Sequence, residues 1–213
     1  MRNEKLIVYG GSGHGRVVAD AALAAGFDVL GFADDNPAKR NTTLLGMKVI
    51  AGGVDEVVAL CRAHGAYAVV GIGNNQSRQK LYDALMAQQV NIATVVHPSA
   101  VISKFARIGR GTVIFANVAV NCDTIVGNNV ILNTGCTVDH DNAIGDHVHL
   151  SPGVHLGGTV TVGEGTHVGI GASVRNNLVI GAWSVIGAGS AVVKNVADRR
   201  LVYGVPAMER GIV

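Results

Sequence analysis

The sequence predicts two units of different architecture: an open parallel α/β sheet over about the first 95 residues, then a parallel β-helix built on a six-residue repeat over residues 101–196. Three observations predict this. Short apolar runs alternate with a helical pattern in the first half, and one register of Ile, Val or Leu recurs every six residues through the second. Finally, 29 Gly beside only 4% aromatic residues favours a tightly turned backbone with small side chains over a bulky mixed core.

Residues 5–10 (KLIVYG) form an apolar run ending in the glycine-rich GGSGHG, and residues 16–25 (RVVADAALAA) follow with helical spacing. This reads as strand, glycine turn and helix. A second strand at 28–33 (DVLGFA) ends in Asp34-Asp35, a third apolar run lies at 67–72 (YAVVGI), and a helix at 77–89 follows GNN. Strands alternating with helices predict a parallel sheet whose ligand crevice opens beyond the carboxyl ends of the strands. The glycine turn, Asp34-Asp35 and Gly73-Asn74-Asn75 would meet there, with Asn74 and Asn75 also suited to capping the helix that follows. Gly10, Gly13 and Gly15 space as GxxGxG rather than the dinucleotide GxGxxG, which argues against NAD.

After the turn signal HPSA (97–100) the period changes. Counting by six from Ile102 through Ile108, Ile114 and Val120 to Val192 gives sixteen positions, every one Ile, Val or Leu. Four residues after each anchor the side chain is usually small or β-branched, as at Ala106, Thr112, Val118, Thr124 and Cys136. This pattern resembles the hexapeptide-repeat β-helix family, a resemblance that implies three hexads to one triangular coil, so that residues eighteen apart stack at the parallel strand spacing of about 4.8 Å. Each coil buries its anchors against the coils above and below, and no layer is stable alone.

An apolar content of 48% excludes a disordered chain, and a net charge of +2 without a basic run gives no electrostatic reason to expect nucleic acid. No apolar stretch reaches membrane-spanning length and MRNEKLIVYGG has no long apolar leader, so the cytoplasm is the expected location and no membrane partner is expected. Cys61, Cys122 and Cys136, none in a CxxC, are expected to be reduced, small, buried side chains.

The densest polar cluster of the repeat is Thr137-Val138-Asp139-His140-Asp141-Asn142, followed by His147, His149, His155 and His167. His140 lies two residues after an inward anchor and so belongs near a corner. Eighteen residues on is Gly158, in the pair Gly157-Gly158, which would set a backbone amide with no side chain over it one strand spacing from the imidazole. A base on one coil and an oxyanion donor on the next suit acyl transfer. A neutral imidazole removes a proton from an attacking amine or hydroxyl at neutral pH, and a neighbouring carboxylate raises its basicity and sets its tautomer. Asp141 is the candidate for that partner and Asp139 the alternative. A surface histidine with no chemical task is the competing reading.

The ordered motifs YGGSGHG, FADD, GIGNN, HPSA, ILNTGCTVDHD, HVHLSPGVHLGG and YGVPA resemble the hexapeptide-repeat acyltransferase family that contains the sialic acid O-acetyltransferases and the UDP-4-amino-sugar N-acetyltransferases of the bacillosamine pathway. The resemblance implies an N-terminal Rossmann-like nucleotide-sugar-binding domain over 1–96, a left-handed parallel β-helix acyltransferase domain over 101–196, and a tail over 197–213 near the CoA site. It implies His140 as general base tuned by Asp141, and Ser12, Gly13, His14, Asp34, Asp35 and Gly73 as the nucleotide-sugar site. His149, Gly158, Ile170 and Ala188 match positions that contact acetyl-CoA. A homotrimer with CoA between neighbouring β-helices, and no metal, completes the expectation.

The activity expected is direct acetyl transfer from acetyl-CoA to the amino group of a nucleotide-activated sugar. Rival readings are O-acetylation of sialic acid or another sugar hydroxyl with the same base, a γ-class carbonic anhydrase-like metal enzyme, and a non-catalytic nucleotide-sugar-binding protein. The histidines lack the HxxxxH spacing of that carbonic anhydrase class, and it has no use for a nucleotide domain. Cys122, eighteen residues before His140, offers a covalent route as an alternative to direct transfer.

Overall fold

The computed structural model describes residues 4–213; residues 1–3, which the expected first domain includes, lie outside the described residues. The chain divides into two compact units with the boundary between Pro98 and Ser99.

In the first unit, β1 (Lys5–Tyr9), α1 (Gly13–Ala24), β2 (Asp28–Ala33), a short β3 (Thr43–Leu44), β4 (Met47–Ala51), α2 (Val54–His64), β5 (Tyr67–Val70) and α3 (Asn75–Ala87) follow one another. The sheet order is β3-β4-β2-β1-β5, all parallel except the β3–β4 hairpin. The chain moves outward from β1 through β2 to β4 and then returns through α2 to the other side of β1. The order therefore reverses between β1 and β5, where a ligand crevice opens in such sheets. Ile7, Tyr9, Val57, Ala68, Val70 and Leu85 form the core of one face.

Helix α1 begins at Gly13, earlier than the apolar spacing predicts, so the glycine turn supplies its first turn. Helix α3 begins two residues before the predicted start, because Asn74 caps it by accepting the Ser77 N–H at 2.9 Å. The β3–β4 hairpin and α2 have no counterpart in the sequence reading. Gly10 and Gly15 are required by a close approach: a Cβ on Gly10 would lie 2.5 Å from the Gly71 carbonyl oxygen, and one on Gly15 would lie 1.7 Å from that of Gly10.

In the second unit sixteen two-residue strands, from Val101–Ile102 to Ala191–Val192, form three parallel sheets that wind as a left-handed β-helix. Partners pair eighteen residues apart, as in Val120 with Val138 and Val138 with Leu156. The anchors from Ile114 to Val192 are all buried. From Gly111 to Gly189 every sixth residue has positive φ, including Asn117, Asp123, Asn129, Asp141, Thr159 and Trp183. One left-handed residue per hexad is thus the corner device of the solenoid, and Asn, Asp and Gly occupy most of these sites because they tolerate that region best.

The interior row four residues after the anchor is not uniformly apolar. Thr112, Thr124 and Thr166 are fully buried there, and each hydroxyl donates to a carbonyl fifteen residues on while accepting the N–H eighteen residues on. Each buried hydroxyl is therefore satisfied, and each bolts one coil to the next. Beyond the last coil the tail folds into a hairpin of Arg200–Tyr203 and Met208–Ile212 that continues one of the three sheets.

Candidate active site

His140 and Asp141 form the corner after the strand Thr137–Val138. Asp141 takes the left-handed position, φ +58, and its carboxylate meets the ring: Nδ1 of His140 lies 2.7 Å from Asp141 Oδ2. Asp139 has a different task. Its Oδ1 accepts the His140 N–H at 2.8 Å and the Asn121 side-chain amide at 2.8 Å, which pins the backbone of the corner. The hydrogen bond to Asp141, reinforced by the charge of Asp139, raises the pKa of His140 above that of an ordinary imidazole. A carboxylate on Nδ1 holds the proton there and leaves the Nε2 lone pair available.

The imidazole lies directly against Gly158. A Cβ at that position would fall 2.5 Å from Cε1 and 2.6 Å from Nε2 of His140. Gly157 is as confined, with a Cβ there meeting the Asn176 nitrogen at 2.8 Å. One coil earlier the position of Gly157 is held by Asp139, whose carboxylate consumes the corner N–H. With glycine in its place, the Gly158 N–H has no partner among the described residues. The glycine pair therefore does two things: Gly158 admits the ring, and Gly157 leaves the amide beside it free. Asp139, His140, Gly158, Arg175 and Asn177 line a cavity of about 540 Å³ over this corner. A base edge and a bare N–H facing one cavity can take a proton from a nucleophile and stabilise the oxyanion of a carbonyl under attack.

The other histidines lie apart from this corner. His147 is buried and hydrogen-bonds the Asn129 side chain at 2.8 Å. His149 sits on the preceding sheet, stacked on His167 with ring centroids 4.8 Å apart, and its Nε2 lies 3.3 Å from the Asn133 amide. Ile170 and Ala188 are exposed and stack at the corner between that sheet and the sheet that leads to His140. His155 pairs with the Thr137 hydroxyl at 2.9 Å. Among the described residues no group of three or more His, Cys, Asp or Glu is placed to hold a metal ion.

One expectation is corrected here: Cys61 and Cys136 are buried but Cys122 is exposed. It occupies the same corner position as His140 one coil earlier, and corner side chains point outward.

In the first unit, the loop after β1 and the loop after β5 lie side by side at the point where strand order reverses, bringing Ser12, Gly13, His14 and Gly73 to one end of the sheet. Nothing lies within 4 Å of the Gly13 Cβ direction, and Ser12 spends no side-chain bond on the helix it precedes. The helix N-terminus is thus open to an anion. Burial, helped by Arg78, lowers the pKa of His14 to about 4, so it stands neutral at physiological pH. Asp34 is already engaged: it accepts from Gly11 N–H at 2.8 Å, Lys39 Nζ at 2.7 Å and Asn36 N–H at 3.0 Å. Burial acts to raise its pKa, but these bonds outweigh it and leave the carboxyl below its ordinary value. Asp35 accepts from the Tyr9 hydroxyl and from Gly53 N–H. Arg40 and Glu56, an ion pair that lines a cavity of about 290 Å³ with Asp34 and Asp35, were missed by the sequence reading. Arg40 precedes the β3–β4 hairpin and Glu56 lies in the first turn of α2, where no motif marks them.

Comparison with known proteins shows the family. Residues 5–85 match the family described as the PglD N-terminal domain. PerB from Caulobacter crescentus, solved in complex with CoA and GDP-perosamine, is 38% identical, with 97% of each chain covered and a TM-score of 0.90. This chain belongs to the hexapeptide-repeat sugar N-acetyltransferases. A second member of the family, the acetyltransferase domain of PglB from Neisseria gonorrhoeae FA1090, is 33% identical, covering 98% of this chain and 100% of that one, with a TM-score of 0.87. The UDP-N-acetylbacillosamine N-acetyltransferase of Bacillus subtilis (strain 168) is 39% identical over 114 residues, about half of each chain (53% of this one and 52% of that one).

Proposed function

We propose that this protein transfers the acetyl group of acetyl-CoA to the amino group of a nucleotide-linked amino sugar, with His140 as general base. One observation carries the reading: the imidazole, held at Nδ1 by Asp141, lies against Gly158, whose N–H has no partner among the described residues. Acetyl-CoA brings the acetyl group as a thioester. His140 Nε2 takes a proton from the neutral attacking amine as the C–N bond forms at the thioester carbonyl; the tetrahedral oxyanion then collapses, the C–S bond breaks, and His140 returns that proton to the leaving CoA sulfur. The Gly158 N–H faces the carbonyl oxygen while it carries charge. A free amine is a competent nucleophile toward a thioester, so no acyl-enzyme is required.

Ser12, Gly13, His14 and Gly73 hold the diphosphate and Asp34 and Asp35 the nucleoside, while His149, Ile170 and Ala188 border the CoA path with the tail 197–213 near it. The assembly is a homotrimer with CoA lying between neighbouring β-helices, and its place is the cytoplasm. Among the described residues no helix is long and apolar enough to cross a membrane. A panel of UDP-, GDP- and dTDP-linked 4-amino sugars and their 4-hydroxy counterparts with acetyl-CoA, followed by thiol release, tests the reading. Turnover of at least one amino sugar and a loss of about 10²–10⁴-fold in His140→Ala are expected. Turnover of the hydroxy sugars alone, or of none, overturns it. Gel filtration that returns a monomer overturns the shared CoA site.

A further inference from the structure

The interior of the His140 corner holds a side chain that the mechanism has not used. Asn142 is 2% exposed and occupies the inward row where neighbouring coils carry Val, Cys or Thr. Two of its hydrogen bonds follow the pattern of the buried threonines: Nδ2 donates to the Gly157 carbonyl, fifteen residues on, at 3.1 Å, and Oδ1 accepts the Val160 N–H, eighteen residues on, at 3.0 Å. Two more have no counterpart at Thr112, Thr124 or Thr166. The two hydrogens of the same amide are shared with the Asp139 carbonyl at 2.6 Å and the His140 carbonyl at 3.2 Å, so that one of them is bifurcated. Thr124 adds a second donor to the Asp139 carbonyl from the coil below.

Asn142 thus ties together the backbone that carries the imidazole and the backbone that carries the glycine pair. The His140 carbonyl also accepts the Thr159 N–H at 2.9 Å, so base and bare amide share one hydrogen-bonded frame with Asn142 at its centre. A side chain with only an inter-coil duty would need two of these bonds, and threonine supplies them elsewhere. We infer that Asn142 is a positioning residue for the acetyl transfer: its amide sets where the His140 ring stands relative to the Gly158 N–H. The inference rests on the function proposed above.

The buried threonines define the test, because Asn142→Thr keeps both inter-coil bonds and deletes only the two to the His140 corner. Its thermal midpoint is expected within about 3 °C of the wild type. Its kcat is expected to fall about 10- to 100-fold, in line with the cost of misplacing a catalytic group by about 1 Å, with KM for acetyl-CoA changed less than about twofold. Wild-type kcat in a folded Asn142→Thr overturns the inference, as does a rise in KM without loss of kcat. Should the threonine variant not fold, Asn142→Ser makes the same two bonds with less bulk. If neither folds, Asn142 is a structural residue and the inference is wrong. Wild-type turnover and the loss in His140→Ala are measured alongside: their failure rejects the proposed function, whereas their success with an active Asn142→Thr rejects only the role of Asn142.

Discussion

Replacing Gly158 by alanine perturbs the proposed active site with one methyl group. The new Cβ would stand 2.5 Å from Cε1 and 2.6 Å from Nε2 of His140. Comfortable carbon contacts begin near ~3.5 Å, so the ring must retreat by roughly 1 Å. It can do so cheaply, since the His140 side chain is 52% exposed and Gly158 is not among the residues with positive φ. The fold therefore survives and the geometry does not: a retreat of that size breaks the 2.7 Å bond to Asp141 and moves Nε2 off the nucleophile. A displacement of about 1 Å at a catalytic group costs on the order of 10²-fold in rate. Because alanine keeps its own N–H, the loss reports the base and not the oxyanion donor. In the thiol-release assay Gly158→Ala should lose about 100-fold in kcat with a thermal midpoint within about 2 °C of wild type. Adding Gly158→Ala to His140→Ala should cost little more than His140→Ala alone, because both act through the same ring. A kcat within twofold of wild type, or full additivity in the double variant, would refute the stacking argument.

Asp141→Asn removes the bond that chiefly raises the His140 pKa. The base works only when neutral and the rate falls as pH drops through its pKa, so the acid limb of kcat should move to lower pH and the plateau should fall about tenfold or more; an unmoved limb would exclude Asp141 as the tuning group. Cys122→Ala should leave kcat within about twofold, since direct transfer does not use the thiol, and a loss as severe as that of His140→Ala would establish a covalent route. Asp34→Ala releases Gly11, Asn36 and Lys39 together, so KM for the nucleotide sugar should rise about tenfold with kcat little changed, as expected when only ground-state binding is lost. An unchanged KM would place the nucleotide elsewhere.

The β-helix was legible because its periodicity is a packing requirement repeated in every coil. An inward position that recurs every six residues must be aliphatic each time, so Ile102 to Val192 announce the register without reference to anything distant. The first unit was only partly legible. Its first two strands and α1 carry strong local patterns, but Thr43–Leu44, Met47–Ala51 and Val54–His64 do not stand out from their surroundings, and Arg40 and Glu56 went unnoticed with them. At the candidate site, His140 and Gly158 could be paired by adding eighteen. The buried placement of Asn142 could also have been found, since it falls in the row four residues after an anchor, but that row is filled mostly by Val, Thr and Ala and Asn142 stands within a polar run of the sequence.

The sequence by itself determined the two-unit plan, the coil register and the corner position of His140, because each follows from periodicity along the chain, and the eighteen-residue coil implied by the family resemblance then stacked the bare backbone on it. Tertiary structure alone decided which carboxylate touches the ring, that Asp34 is engaged by the glycine loop, and that Asn142 joins the two corners. Those outcomes depend on the direction a side chain takes after a left-handed turn and on which carbonyl of a neighbouring coil comes within about 3 Å of it, and neither is encoded in spacing.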